Sequence, residues 1–287
     1  GLRACAALMD IGTFEGGLRG AMASRDLQPS ESCMVSVDDF ISIETVKVLL
    51  GPEFVERVPD AGNEEEEDVW LSLLLHREKR RPRSTLAPYI HSSFSLPSSV
   101  PAGWNPETKK GSKRRASLPS LELADGMRDK VDDLYSSLVE PAIEQLPHIL
   151  AEGLEGTVGI VGEEGGDKGA AEKLAKLYSF QPYLETYLAL RTRVFGDAKQ
   201  SRIAGLQGTS FLVPLLDMLN HGGNRSSATI AFDVKRRGFV LRPARAVSRG
   251  EQLTWNYVTH CRELALNVYG FFDDEMEPCP VALSSDS

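Results

Sequence analysis

The chain has 287 residues, 41% of them hydrophobic, and carries a formal net charge of -9. That much apolar material supports a sizeable core, with two domains expected, and the acidic balance argues against a polyanion-tracking surface, so nucleic acid is not expected as a direct ligand. Its longest apolar runs, such as 71–75, fall far short of the roughly 20 residues of a membrane helix, and the first residues lack a signal-peptide layout, so a soluble chain with no membrane partner is expected.

In chain order, Gly20 to Ala23 reads as a short strand, Gln28-Pro29-Ser30-Glu31 as a turn and Cys33 to Val37 as a second strand of alternating apolar and small residues. Ser42 to Leu50 begins a helix that Gly51-Pro52 stops. The acidic run Glu64 to Asp68 places negative charge at an electropositive helix start, before Val69, Trp70, Leu73 and Leu74. From Pro82 to Pro119 the Ser- and Pro-rich sequence reads as an exposed loop. Its basic cluster, Lys109, Lys110, Lys113, Arg114 and Arg115, is read as a solvated surface, with docking of an acidic partner as the alternative.

Met127 to Leu150 returns to helical spacing, with breaks expected at Pro141 and Pro147. Gly153 to Gly169 is glycine-rich and acidic and reads as a mobile connection. Ala170 to Phe195 is helical again, interrupted near Pro182. The last third reverts to β-patterning: Thr209 to Val213, a hairpin of Ala228 to Val234 with Gly238 to Pro243, and Leu253 to Tyr257, followed by a short helix over Arg262 to Val268. The four cysteines, Cys5, Cys33, Cys261 and Cys279, form no close pair in sequence. Neither a zinc cage nor a disulfide framework is indicated, no metal site is expected, and a reducing intracellular compartment is the simplest reading.

Three features of the last third carry candidate chemistry: an Asn220-His221 pair on a tight turn, Tyr257 after the Gly250-Glu251 turn, and the aromatic residues Tyr269, Phe271 and Phe272. Singly, each has an ordinary reading. A tyrosine at a strand end is more often half-buried with a bonded hydroxyl than catalytic, an Asn-His pair is usually a turn, and the glycine of Leu18-Arg19-Gly20 can simply serve a tight turn.

Taken in order, they resemble the SET-domain methyltransferases, and among them the class of the Rubisco large-subunit lysine methyltransferase, whose SET domain is split by a helical insertion. The segment 16–37 resembles the opening glycine-bearing strand and hairpin, and 68–79 with 84–94 is similar to a helix and Tyr-containing loop of the insertion. LRTRVF (190–195) resembles a Ser-Arg segment, with Thr192 in place of Ser, and VPLLDMLNH (213–221) is close to an Asp-Met-x-Asn-His signature. GEQLTWNY with YGFF is similar to the catalytic strand and closing aromatic cluster. Three positions depart from the pattern: Leu18 stands for the first glycine of Gly-x-Gly unless Gly17 serves after a shift, Val258 for a Gly or Asp, and Cys261 or Arg262 for an Asn, depending on alignment.

The resemblance implies an α+β fold, with residues 1–50 and 206–287 forming a β-rich SET domain split by a helical insertion over 51–205. The helical substrate-binding domain that commonly follows is expected to be absent from this chain. It implies S-adenosylmethionine as cofactor and protein-lysine N-methylation, on a non-histone protein, as the activity. A histidine acceptor, as in the branch that acts on actin, is the second reading. A SET-like interaction protein of weak catalysis is the third, favoured by Val258 and the missing Asn.

By the same resemblance Tyr257 is catalytic, and the cofactor is held by Arg19, Gly20, Thr192, Arg193, Asp217, Asn220, His221 and Phe271. Tyr269 would line the substrate channel. A lysine amine, with its ordinary pKa of about 10.4, attacks only when neutral, and a narrow apolar channel favours that form by desolvation.

Overall fold

The computed structural model describes residues 2–57, 63–116, 122–159, 169–196, 208–257, 261–271 and 275–279. Val258 and Phe272 therefore lie outside the described residues. The chain divides into two compact units, Gly1–Glu44 with Arg193–Thr259, and Thr45–Thr192 with His260–Ser287. The first carries the described strands and is interrupted in sequence by the helices of the second, a mixed α+β organisation.

The β-rich unit consists of β1 (Met9–Thr13), β2 (Arg19–Ala23), β3 (Cys33–Ser36), β4 (Phe195–Gly196), β5 (Ser210–Phe211), β6 (Asn220–His221), β7 (Ala228–Asp233), β8 (Gly238–Pro243) and β9 (Thr254–Trp255). β1 pairs antiparallel with β2, placing Gly12 opposite Gly20, and β8 lies between β3 and β7. The hairpin expected over 228–243 is present, turning at Arg237 with φ 52°. β1 was not expected, because MDIGT is short and lacks a clean alternation.

The other edge of β2 meets the segment before β9: Ala23 N–H donates to Glu251 O, and Leu253 N–H donates to Ala21 O, both at 2.9 Å. These bonds bring the strand that bears Gly20 beside the segment that leads to Tyr257. Beneath them lies a core that includes Ala21, Ala23, Val35, Val213, Leu216 and Leu253, all buried.

Contrary to the sequence reading, the cysteines are paired. Cys5 bonds Cys33, with Cα atoms 5.0 Å apart, and Cys261 bonds Cys279, at 4.8 Å. Separations of 28 and 18 residues match no short cysteine motif, so only the packing of the chain reveals them. With both pairs bonded, cysteine usage no longer argues for a reducing compartment. Among the described residues, no helix is long and apolar enough to cross a membrane.

In the helical unit, several breaks fall elsewhere than expected. The helix Ile43–Arg57 continues across a kink at Gly51 (φ 83°, ψ 175°), and Pro52 opens its second part instead of ending it. Pro141 breaks nothing, because the preceding π-turn, Tyr135–Val139, carries the helical run into Glu140–Gln145; the break at Pro147 is real, with Leu146 at φ -128°. The interruption expected near Pro182 lies at Tyr178-Ser179, so Pro182 sits in the first turn of Phe180–Arg191, where its missing N–H costs nothing. Within 153–169, a helical turn occupies Glu155–Val158, and 160–168 lie outside the described residues. The basic cluster is not loop but a short helix, Lys109–Arg115, whose Thr108 Oγ1 accepts from Gly111 N–H at 3.0 Å.

The helix Glu64–Glu78 starts at Asn63, whose side chain accepts from Glu66 N–H, and is buried from Glu67 to Glu78. On a helix buried on all sides, each polar side chain without a partner is costly. His76 has partners for both ring nitrogens. Nε2 donates to Leu177 O, which can only accept, and Nδ1 accepts from the Thr186 hydroxyl, both at 2.9 Å.

Burial holds the His76 pKa down at about 3 from its ordinary 6.5. As pH falls below 6.5, the unfolded chain takes up a proton that the folded chain refuses, so stability is lost between those two values. The slope approaches about 1.4 kcal/mol per pH unit. Urea unfolding between about pH 7 and pH 5 should therefore show stability falling more steeply in the parent than in His76→Gln. Equal slopes would remove His76 from the account.

Candidate functional site

The β-rich unit brings together seven of the residues singled out from the sequence: Arg19, Gly20, Arg193, Asp217, Asn220, His221 and Tyr257. Their meeting starts with β6, which pairs parallel to β9 so that Asn220 faces Thr254 and His221 faces Trp255. Asn220 Nδ2 donates to Arg19 O at 2.9 Å. Its side chain lies so close to Gly20 that a Cβ there would collide with it, so a glycine is required by approach and not by backbone angle. Gln252 Nε2 lies 3.0 Å from the same point.

Tyr257 is fixed at three points. Its N–H donates to His221 Nδ1 at 3.2 Å, its ring meets the His221 ring edge-on with centroids 5.3 Å apart, and its hydroxyl donates to Leu219 O at 2.7 Å. The hydroxyl proton therefore goes to a carbonyl, which fixes the phenol as the donor in that bond. The ring also lies 5.5 Å from Trp255, which stacks on Phe195 at an interplanar angle of 9°. These aromatic contacts set the direction of the hydroxyl.

Arg193 Nη1 donates to Asp217 O at 2.8 Å and lies 3.3 Å from Met218 Sδ. Asp217 thus serves the arginine through its backbone, on the short 3-10 turn Leu216–Met218. That turn is entered by Leu215 at φ 74°, ψ -45°, a conformation that costs an L-residue of order 1–3 kcal/mol and tends to persist where the surrounding packing imposes it.

Thr192, Tyr269 and Phe271 belong to the helical unit. The Thr192 hydroxyl bonds back to Ala189 O at 2.8 Å and finishes its own helix. Tyr269 ends the helix Arg262–Tyr269, its ring 5.9 Å from Phe271, and burial raises its phenol pKa above the ordinary value. At the start of the same helix stand Cys261 and Arg262, where the resemblance expects an asparagine, and Arg262 N–H donates to Glu277 O.

Sequence reasoning passed over the residues that clamp the turn. A Cβ on Gly222 would collide with Thr254, and Ser227 Oγ donates to Gln252 O while accepting from Thr254 N–H at 2.9 Å. The first glycine of NHGG, Gly222, is the sequence signal for this close approach.

The chain matches no protein-family model and no curated protein. It does match solved structures. The SET domain of LSMT bound to lysine and AdoHcy aligns with a TM-score of 0.59 and 15% identity, over 94% of this chain and 54% of that one. Rubisco LSMT bound to AdoMet aligns at 0.55 and 16%, over 94% and 53%, and Rubisco LSMT bound to sinefungin and monomethyllysine at 0.53 and 15%, over 94% and 52%. The chain therefore spans about half the length of these structures. The sequence-level resemblance and this alignment agree on architecture: the chain has the SET-domain fold of the LSMT structures.

Proposed function

We propose that the chain is an S-adenosylmethionine-dependent protein-lysine N-methyltransferase acting on a non-histone protein. The observation that carries this reading is the convergence of Arg19-Gly20, Asn220-His221 and Tyr257 within one unit of a fold whose solved examples hold AdoMet and lysine. The donor set fits such a cofactor. Arg193 is held by a carbonyl and a thioether, and among the described residues it makes no ion pair, so its charge is available to a carboxylate.

When bound, S-adenosylmethionine supplies a methyl group already activated on sulfonium. The protein then has to supply position. Arg193 and the Asn220-His221 turn would hold the cofactor, Gly20 lets its strand come close, and the Tyr257 oxygen would accept an N–H of the neutral amine and aim its lone pair. Calorimetric titration of the folded chain with S-adenosylmethionine tests the reading, and absence of binding would sink it. Replacing Gly20 by alanine should push Asn220 off Arg19 O and weaken that binding by about tenfold, with circular dichroism unchanged. Mass spectrometry of a proteome treated with enzyme and labelled cofactor would name the substrate and its acceptor residue.

A further inference from the structure

The helical unit holds a groove of about 370 Å³ that takes no part in the proposed methyl-transfer site. Leu96, Pro97 and Trp104 line it together with the cationic Lys79, Arg80 and Arg114, against the carboxylate of Glu185. Its geometry is built. Trp104 Nε1 and Arg114 Nη1 both donate to Ser98 O, at 2.9 and 3.0 Å, and the guanidinium lies 5.7 Å from the indole centroid. Arg80 is anchored by donating to His76 O at 2.7 Å, which leaves donors on a guanidinium that has five. Lys79 is exposed and makes no ion pair among the described residues.

Positive charge continues past the groove. Arg114 belongs to the helix Lys109–Arg115, and Lys110, four residues before it and exposed, lies on the same helical face. This cationic strip stands on a chain whose net charge is -9. A volume near the lower end for small-molecule pockets, running into a charged face, matches an extended ligand better than a compact one.

We propose that this groove and the adjoining face of Lys109–Arg115 form a docking site for an acidic, apolar-containing peptide segment of a partner protein. Carboxylates of the segment would meet Lys79, Arg80, Arg114 and Lys110, and an apolar side chain would rest against Trp104, Leu96 and Pro97. The site lies wholly within the helical unit and does not depend on the methyl-transfer reading.

The test is fluorescence anisotropy of the full chain with a fluorescein-labelled peptide of alternating glutamate and leucine. Saturable binding is expected, weakening as salt is raised. Lys79→Glu with Lys110→Glu, both at exposed positions, should weaken it by about tenfold or more with thermal unfolding unchanged. Trp104→Leu should weaken the same peptide but not an all-glutamate peptide of equal length. The proposal is overturned if the peptide does not bind, if the charge reversals leave binding intact, or if the all-glutamate peptide binds as well as the alternating one. It is overturned equally if an oligonucleotide displaces the peptide at lower concentration, since the surface would then serve a polyanion.

Discussion

Tyr257→Phe is expected to lower the single-turnover rate of methyl transfer by about a hundredfold while leaving S-adenosylmethionine binding close to that of the parent. The tyrosine ring is held by His221 and Trp255, and these contacts survive the change. What disappears is one oxygen, which donates to Leu219 O and which the proposed reaction uses to aim the amine. A pre-aimed group of this kind, acting where charge changes in the transition state, is typically worth about 10²–10³ in rate, or about 3–4 kcal/mol. Its contribution to folding is only that of one hydrogen bond, about 1 kcal/mol, so the variant should remain folded at assay temperature. Quench-flow measurement with saturating cofactor and substrate separates the two effects. A rate within about twofold of the parent would show that the hydroxyl only ties Tyr257 to Leu219.

Much of the fold can be read from local pattern. The alternation over 228–243 gives β7 and β8, and the acidic first turn followed by a long apolar run gives the helix Glu64–Glu78. The site is legible only as an ordered set of motifs, because each of its contacts joins residues far apart in sequence. Asn220 reaches Arg19 across 201 residues, and the Tyr257 hydroxyl reaches Leu219 across 38. No local period predicts a two-residue strand such as β4 or β6, since its pairing is fixed by neighbours and not by its own composition. Similar reasons hide the disulfides, and the basic helix Lys109–Arg115 reads as loop because its Gly111 and surrounding serines and prolines are turn residues by propensity. The close approach of the Lys109–Arg115 helix backbone to Asn105 shows why that glycine is there: a Cβ on Gly111 would collide with Asn105 O.

The largest effect on stability is expected at the end of the inserted helices. Asp68 is fully buried, and its Oδ2 lies 2.5 Å from Nη1 of Arg191, which also stands 3.6 Å from Glu64. Burial alone would lower the arginine's pKa, but Asp68 holds it above the ordinary value, so the guanidinium stays charged. Arg191 is the last residue of Phe180–Arg191, and the chain passes from it through Thr192 to Arg193. Anchoring it to Asp68 therefore fixes where the helical unit hands the chain on. Arg191→Met takes the guanidinium away from a buried carboxylate and should cost about 3–5 kcal/mol in urea unfolding, a loss of roughly 10 °C in midpoint temperature. Because much of that cost is the buried charge left without its guanidinium and not the lost attraction, Asp68→Leu combined with Arg191→Met should recover most of it. If the double variant instead loses the sum of the two single losses, the two side chains act independently and the ion pair is not what secures this end of the insertion.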